Sequence, residues 1–254
     1  MLKVIRKVDN RNIKRSDCIV ELGIRTATMK PTAILLFFSL CLFSAEQQML
    51  FEHDTIVSSN IFIPENTTCT ITPGVQIQFD GYYKFAVKGL LIARGTAEKP
   101  IVITCVNRPR GEKGNPCWNG LMICGEKSQA LFAHCRIEGA YKNVVWQSKP
   151  IFDSCEIAGN HYGLYCIKSS PHIKACTVRR NVYGITSDYA TPLLLDNTIT
   201  DNTFGIFLQL DTKLIAGKNT ITGNETNVRT EQCLGKTNAD MTLQCIWDMM
   251  RELY

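Results

Sequence analysis

Arg179, Arg180, Asp188, Asp196, Asp201 and Asp211 lie within 33 residues of one another, and their types suit acid and base chemistry. Two carboxyl groups about 5–9.5 Å apart can hydrolyse a glycosidic bond, one as acid and the other as base or nucleophile. An arginine beside a neutralised carboxylate can receive a proton. A second set, Tyr162, Tyr165, Tyr183, Phe204 and Phe207, offers flat apolar rings on which sugars could rest. Metal chemistry has less to start from. His134, His161 and His172 show no HxxxH spacing, and no CxxC is present. What each set can do depends on the elements that position it.

Those elements are legible as a repeat. Residues 150–170 (PIFDSCEIAGNHYGLYCIKSS), 171–191 (PHIKACTVRRNVYGITSDYAT) and 192–212 (PLLLDNTITDNTFGIFLQLDT) are blocks of 21, each opening on proline. Aligned on that proline, Phe152, Ile173 and Leu194 share a column, as do Ile157, Val178 and Ile199, and Leu164, Ile185 and Ile206. Asn160, Asn181 and Asn202 form a polar column, and Gly163, Gly184 and Gly205 a glycine column. Apolar residues advance in twos and threes and break step at Asn and Gly, which predicts short strands joined by tight turns. One such unit cannot bury its own apolar face, so units must stack as a solenoid. The leucine consensus of leucine-rich repeats is absent. The expected fold is all-β, a parallel β-helix with coils of about 21 residues.

Stacked coils stand about 4.8 Å apart, so same-column residues become neighbours. On that rule Asp188, Asp196, Asp201 and Asp211 fall in four different columns and no acid lies beside another acid. Asp153 instead faces Lys174, and Arg180 faces Asp201, as surface charge ladders. Tyr162, Tyr183 and Phe204 stack in one column; Tyr165 and Phe207 share an outward column with Thr186 between them. Cys155, Cys176 and Asn197 share a column that Cys135 joins after a one-residue slip, so these thiols should point inward as small apolar fillers. The Asn column is expected to sit at a turn, with amides bonded along the axis and backbones tolerant of left-handed angles.

The upstream stretch adds a resemblance. It carries a Pro73–Gly74 turn, GLLIARGT at residues 89–96, KPIVIT at 99–104 and WNGLMI at 118–123. With the blocks, residues 55–227 resemble the right-handed parallel β-helix repeats of the pectin-lyase-like superfamily, of the carbohydrate-binding and sugar-hydrolysing type. That likeness implies the fold. It leaves lyases, hydrolases, epimerases and inert binding proteins all open. A lyase of the family would bind Ca2+ through clustered acids and use Arg179 or Arg180 as base. A hydrolase would draw on Asp188, Asp196 and Asp201. Neither constellation forms in the columns, so no cofactor and no metal is expected, with Ca2+ only under the lyase alternative.

Charge and cysteine bound the setting. The net charge is +5, from 28 Lys and Arg against 23 Asp and Glu. All of the excess lies in residues 1–45, so basicity gives no argument for nucleic acid. From Met29 the chain reads MKPTAILLFFSLCLFSAEQQ: a basic start, an apolar run at 34–43, then small residues. This is the layout of a secretory signal at residues 29–45, and the run is short for a membrane span. Residues 1–28 are then a long leader or a non-native extension. Twelve cysteines, ten of them after Ala45, point to disulfides in an exported chain, for which Cys105 with Cys117 and Cys233 with Cys245, each 12 apart, are the candidates. The β-helix should occupy residues 46–230, and residues 231–254, ending IWDMMRELY, should form a short helical C-terminal cap or tail.

The function expected is that of an exported, noncatalytic β-helix, periplasmic, cell-surface or secreted, that binds a polysaccharide, a cell-surface glycan or another surface partner. Tyr162, Tyr165, Tyr183, Phe204 and Phe207 are the candidate contacts. Nucleic acid is not an expected partner, and the mature chain should have no membrane span. The alternatives are a polysaccharide lyase or glycoside hydrolase, and a purely structural surface module.

Overall fold

The computed structural model describes residues 3–4, 47–108 and 113–231, and every regular element in them is a strand. The strands build a parallel solenoid of eight coils, each giving one strand to each of three sheets. Sheet 1 takes the first strand of every coil, sheet 2 the second and sheet 3 the third. Sheet 1 has a ninth strand, Lys3–Val4, beside Met49 and Leu50.

The repeat read from the sequence is the structural register. Phe152 pairs with Ile173 and Ile173 with Leu194 in sheet 1. Ile157, Val178 and Ile199 align in sheet 2, and Leu164, Ile185 and Ile206 in sheet 3. All nine side chains are buried, and Phe132 continues the sheet 1 column with its ring stacked on Phe152 at 4.9 Å. A coil therefore fills its interior only by matching the coils above and below it. The glycine column has the same origin. A Cβ on Gly184 would sit 2.5 Å from the carbonyl oxygen of Gly205, so the next backbone passes where a side chain would be.

The corners differ from expectation in one respect. The residue in the left-handed region is not the asparagine but the one before it: Gly159, Arg180 and Asp201 have φ of 64°, 58° and 58°. Asn160, Asn181 and Asn202 turn inward, are fully buried, and bond along the axis. Each amide group donates to the next coil's Asn Oδ1, at 3.1 Å for Asn160 to Asn181 and 3.0 Å for Asn181 to Asn202. Asn224 extends the ladder. In the regular coils the other two corners also turn on left-handed residues, such as Ala175 and Asp196 between sheets 1 and 2 and Lys168 and Tyr189 between sheets 3 and 1.

Cys135, Cys155 and Cys176 are buried and free, and the Cys155 N–H donates to Cys176 Sγ. Burial pushes the Cys69 and Cys166 thiols up to about 12, so these sulfurs are protonated fillers rather than nucleophiles. Cys105 and Cys117 form a disulfide. It closes an excursion between the strands Ile101–Cys105 and Gly120–Cys124 of the third coil. The Cys233–Cys245 pair and the helical cap lie outside the described residues.

Candidate functional site

Of the six charged residues suited to acid and base chemistry, Arg180 and Asp201 form the one opposite-charge pair. Arg180 Nε stands 3.9 Å from Asp201 Oδ2 at the corner between sheets 2 and 3. Asp196 is exposed at the corner between sheets 1 and 2, and Asp211 is exposed beyond the end of the strand Phe204–Gln209. Asp188 ends the strand Tyr183–Asp188 and is buried, 1% exposed. A register that rotates each acid to a different part of the perimeter cannot assemble an acid–base pair from them. Asp153 and Lys174 are register partners as expected, but Asp153 Oδ1 accepts a hydrogen bond from Ser154 Oγ at 2.9 Å and makes no ion pair among the described residues.

Arg179 has a partner that column reading missed. Its Nε donates to Glu156 Oε1 at 2.8 Å, and Glu156 Oε2 also lies 3.3 Å from Arg136 Nε. Arg136 Nη2 in turn donates to Glu138 Oε1 at 2.7 Å, and Glu138 pairs with Arg108 from the excursion. Arg108, Arg136, Glu138 and Arg179 of this network line a groove of about 730 Å3 on the outer face of sheet 2, together with Arg180. Each carboxylate is held by two guanidiniums, a geometry that fixes them as acceptors within the network. The available signal was the shared column of Arg136 and Glu156. Glu138 lies two residues from Arg136 on one strand, Arg179 lies on a diagonal from Glu156, and Arg108 arrives from a segment outside the repeat, so pairing within columns could not reveal them.

The aromatic set is assembled on the outside of sheet 3. Tyr162, Tyr183 and Phe204 are register partners, with ring centroids 4.7 Å and 5.1 Å apart and planes within 8° and 14° of parallel. Tyr165 and Phe207 pack beside this stack, at 5.5 Å from Tyr162 and 5.6 Å from Tyr183. Phe207 and the intervening Thr186 are consequently buried, at 8% and 1% exposure, rather than displayed. Cations sit at both ends: Lys142 Nζ is 5.0 Å from the Tyr162 centroid, and the Arg229 guanidinium is 5.2 Å from that of Phe204. Stacked this way, the central rings turn their faces to one another and present edges outward.

In line with this stack, more exposed aromatic surface lies upstream, in residues the sequence reading did not select. Tyr82 and Tyr141 are 56% and 37% exposed, with centroids 6.4 Å apart. His161 bridges them to the stack, 5.3 Å from Tyr141 and 5.9 Å from Tyr183. Burial first, and the Lys142 charge second, hold the His161 imidazole below its ordinary pKa. The stripe from Tyr82 to Phe204 thus runs along the solenoid axis with its open end at Tyr82. Tyr82 and Tyr141 belong to the irregular upstream coils, outside the three aligned blocks, which is why the repeat did not mark them.

Among the described residues, no three His, Cys, Asp or Glu side chains converge as a metal site requires, and no helix is long and apolar enough to cross a membrane. Residues 147–242 match a family model described as a right handed beta helix region. No curated protein and no solved structure matches the chain.

Proposed function

With a right-handed parallel β-helix as the scaffold, we propose that the protein is an exported, noncatalytic binding module that holds a polysaccharide along the aromatic stripe of sheet 3. The observation that carries this reading is the exposure of Tyr82 and Tyr141 in line with the Tyr162–Tyr183–Phe204 stack. The axis of a solenoid repeats a surface at every coil, and a linear polymer repeats at every residue. Tyr82 and Tyr141 supply ring surface for sugar faces, while the stack supplies edges and the Tyr162 and Tyr183 hydroxyls. Lys142, 5.5 Å from the Tyr141 ring, adds a donor in the same strip. The fold alone does not ask for this arrangement, because the inward columns already fill the core.

Catalysis is the second reading, and it rests on the sheet 2 groove where Arg108, Arg136 and Arg179 enclose Glu138 and Glu156. Commitment of both carboxylates to guanidiniums favours binding over turnover. One experiment separates the readings. Purified protein is passed over immobilised polysaccharides, and the eluates are assayed for new reducing ends and unsaturated products with and without Ca2+. Retention without cleavage, lost in Tyr82→Ala/Tyr141→Ala and less affected in Tyr183→Ala, is the expected result. Equal retention of the double variant and the wild type refutes the stripe as the site. Cleavage lost in Glu156→Gln would move the function to sheet 2.

A further inference from the structure

The outer face of sheet 1 carries a second, chemically different surface. Strands there alternate inward and outward, and the inward positions Leu91, Phe132 and Phe152 belong to the core. Outward positions on such a face are ordinarily polar. Here Ile92, Leu131 and Ile151 stand outward as successive register partners over three coils. Leu90 lies beside Ile92 on the same face, and Ile151 is 42% exposed. These four side chains line a groove of about 950 Å3.

One wall of that groove is cationic. The corner between sheets 3 and 1 contributes Lys149 and Lys168, and Arg94 lines the groove from sheet 1; Glu126 is the one acid in the lining. Neither lysine makes an ion pair among the described residues. Below them the serines of successive coils stack, with Ser128 Oγ donating to Ser148 Oγ at 2.9 Å. Ser169, one coil on, lines the same groove, is 4% exposed, and its Oγ has no hydrogen-bond partner among the described residues. An aliphatic strip therefore ends at two ammonium groups and a hydroxyl whose donor is unmet.

We infer that this groove binds a long-chain carboxylate, with its alkyl chain along Ile92, Leu131 and Ile151 and its carboxylate between Lys149 and Lys168. Each part of the ligand answers a part of the lining. Gln129, Gln147 and Ser170 add polar side chains at the margin, but the Ile92–Leu131–Ile151 column itself is aliphatic, and the aromatic rings on which a sugar would stack are on sheet 3. A second copy of the chain is a poorer occupant, because apposing two such grooves face to face would oppose lysine-rich rims. A carboxylate offsets that excess charge, and its tail removes the aliphatic strip from water.

The test is a calorimetric titration of the full-length protein with decanoate, below its micellar range, beside butyrate and decylammonium. Decanoate is expected to bind with one-to-one stoichiometry, and butyrate and decylammonium at least tenfold more weakly. Leu131→Gln and Lys149→Ala/Lys168→Ala, both at surface positions, should each weaken decanoate at least tenfold. Ile215→Gln, in the same outward column but outside the groove, should leave it unchanged. Several decanoates per chain, equal binding of decylammonium, unaltered affinity in the groove variants, or equal loss in Ile215→Gln would each overturn the assignment.

Discussion

Two stretches of this solenoid solve the same packing problem with different means. The fifth, sixth and seventh coils, residues 150–212, repeat every 21 residues and close each corner with one left-handed residue, except the last, which uses Leu210 and Asp211. The third coil leaves the repeat after Ile101–Cys105 and returns only at Gly120–Cys124. The regular coils are held by what is identical above and below. The irregular coil is held by specific partners. Its excursion is closed by the Cys105–Cys117 disulfide, reaches Glu138 through Arg108, and reaches Asp201 and Glu225 through Lys113 at 3.7 Å and 3.1 Å. Position 201 is four coils downstream. A repeat spreads its stability over many equivalent contacts, whereas an excursion concentrates it in a few.

That contrast is broken most severely from inside a regular coil. Ile185 is fully buried between Leu164 and Ile206, and neighbours locked in register cannot collapse into the space it would vacate. Ile185→Ala is expected to lower unfolding stability by about 2–5 kcal/mol. Denaturant titration followed by circular dichroism measures it. A loss below about 1 kcal/mol would mean that the coil relaxes, against the close packing the register implies.

The difference between the two stretches is also why one was legible and the other was not. Columns of Phe, Ile, Val and Leu at a fixed period carry their own alignment, so fold, register and inward thiols could all be read from residues 150–212. The same alignment showed that the four aspartates would be scattered. It could not find Arg108 or Tyr82, because each lies in a segment with no equivalent in the next block. Nor could it tell how much ring surface the aromatic stack displays. Column sharing says that Tyr162, Tyr183 and Phe204 are neighbours, but not that rings about 5 Å apart consume each other's faces.

A smaller effect is expected in the excursion. Cys105→Ser/Cys117→Ser removes a cross-link over 12 residues, for which chain entropy alone suggests about 3 kcal/mol as an upper value. The ion pairs of Arg108 and Lys113 still tether the segment, so a loss of about 1–2 kcal/mol is expected. Native-state hydrogen exchange should locate the change within residues 106–119 and spare residues 150–212. Faster exchange throughout the regular coils would show that the excursion supports the solenoid globally rather than lying on it.

The smallest effect is a pH dependence that reports on the stripe joining the two regions. His161 lies between Tyr141, in a coil just upstream of the blocks, and Tyr183 within them. Its folded-state pKa is lowered, by burial and then by Lys142, so the unfolded chain binds a proton more readily than the folded one. Stability must then rise with pH wherever that difference operates. The contribution is complete above the unfolded value of about 6.5 and is lost as pH falls through it towards the lower folded value. Melting temperatures of the wild type should fall between pH 7.5 and 5 by more than those of His161→Gln, which keeps a planar polar group but cannot titrate. Lys142→Met should narrow the gap between them, because it removes the second cause of the shift while retaining a chain over the rings. Parallel pH profiles for the wild type and His161→Gln would mean that the imidazole is protonated with equal ease in the stripe and in water, and that the stripe is more open at its centre than its stacking distances imply.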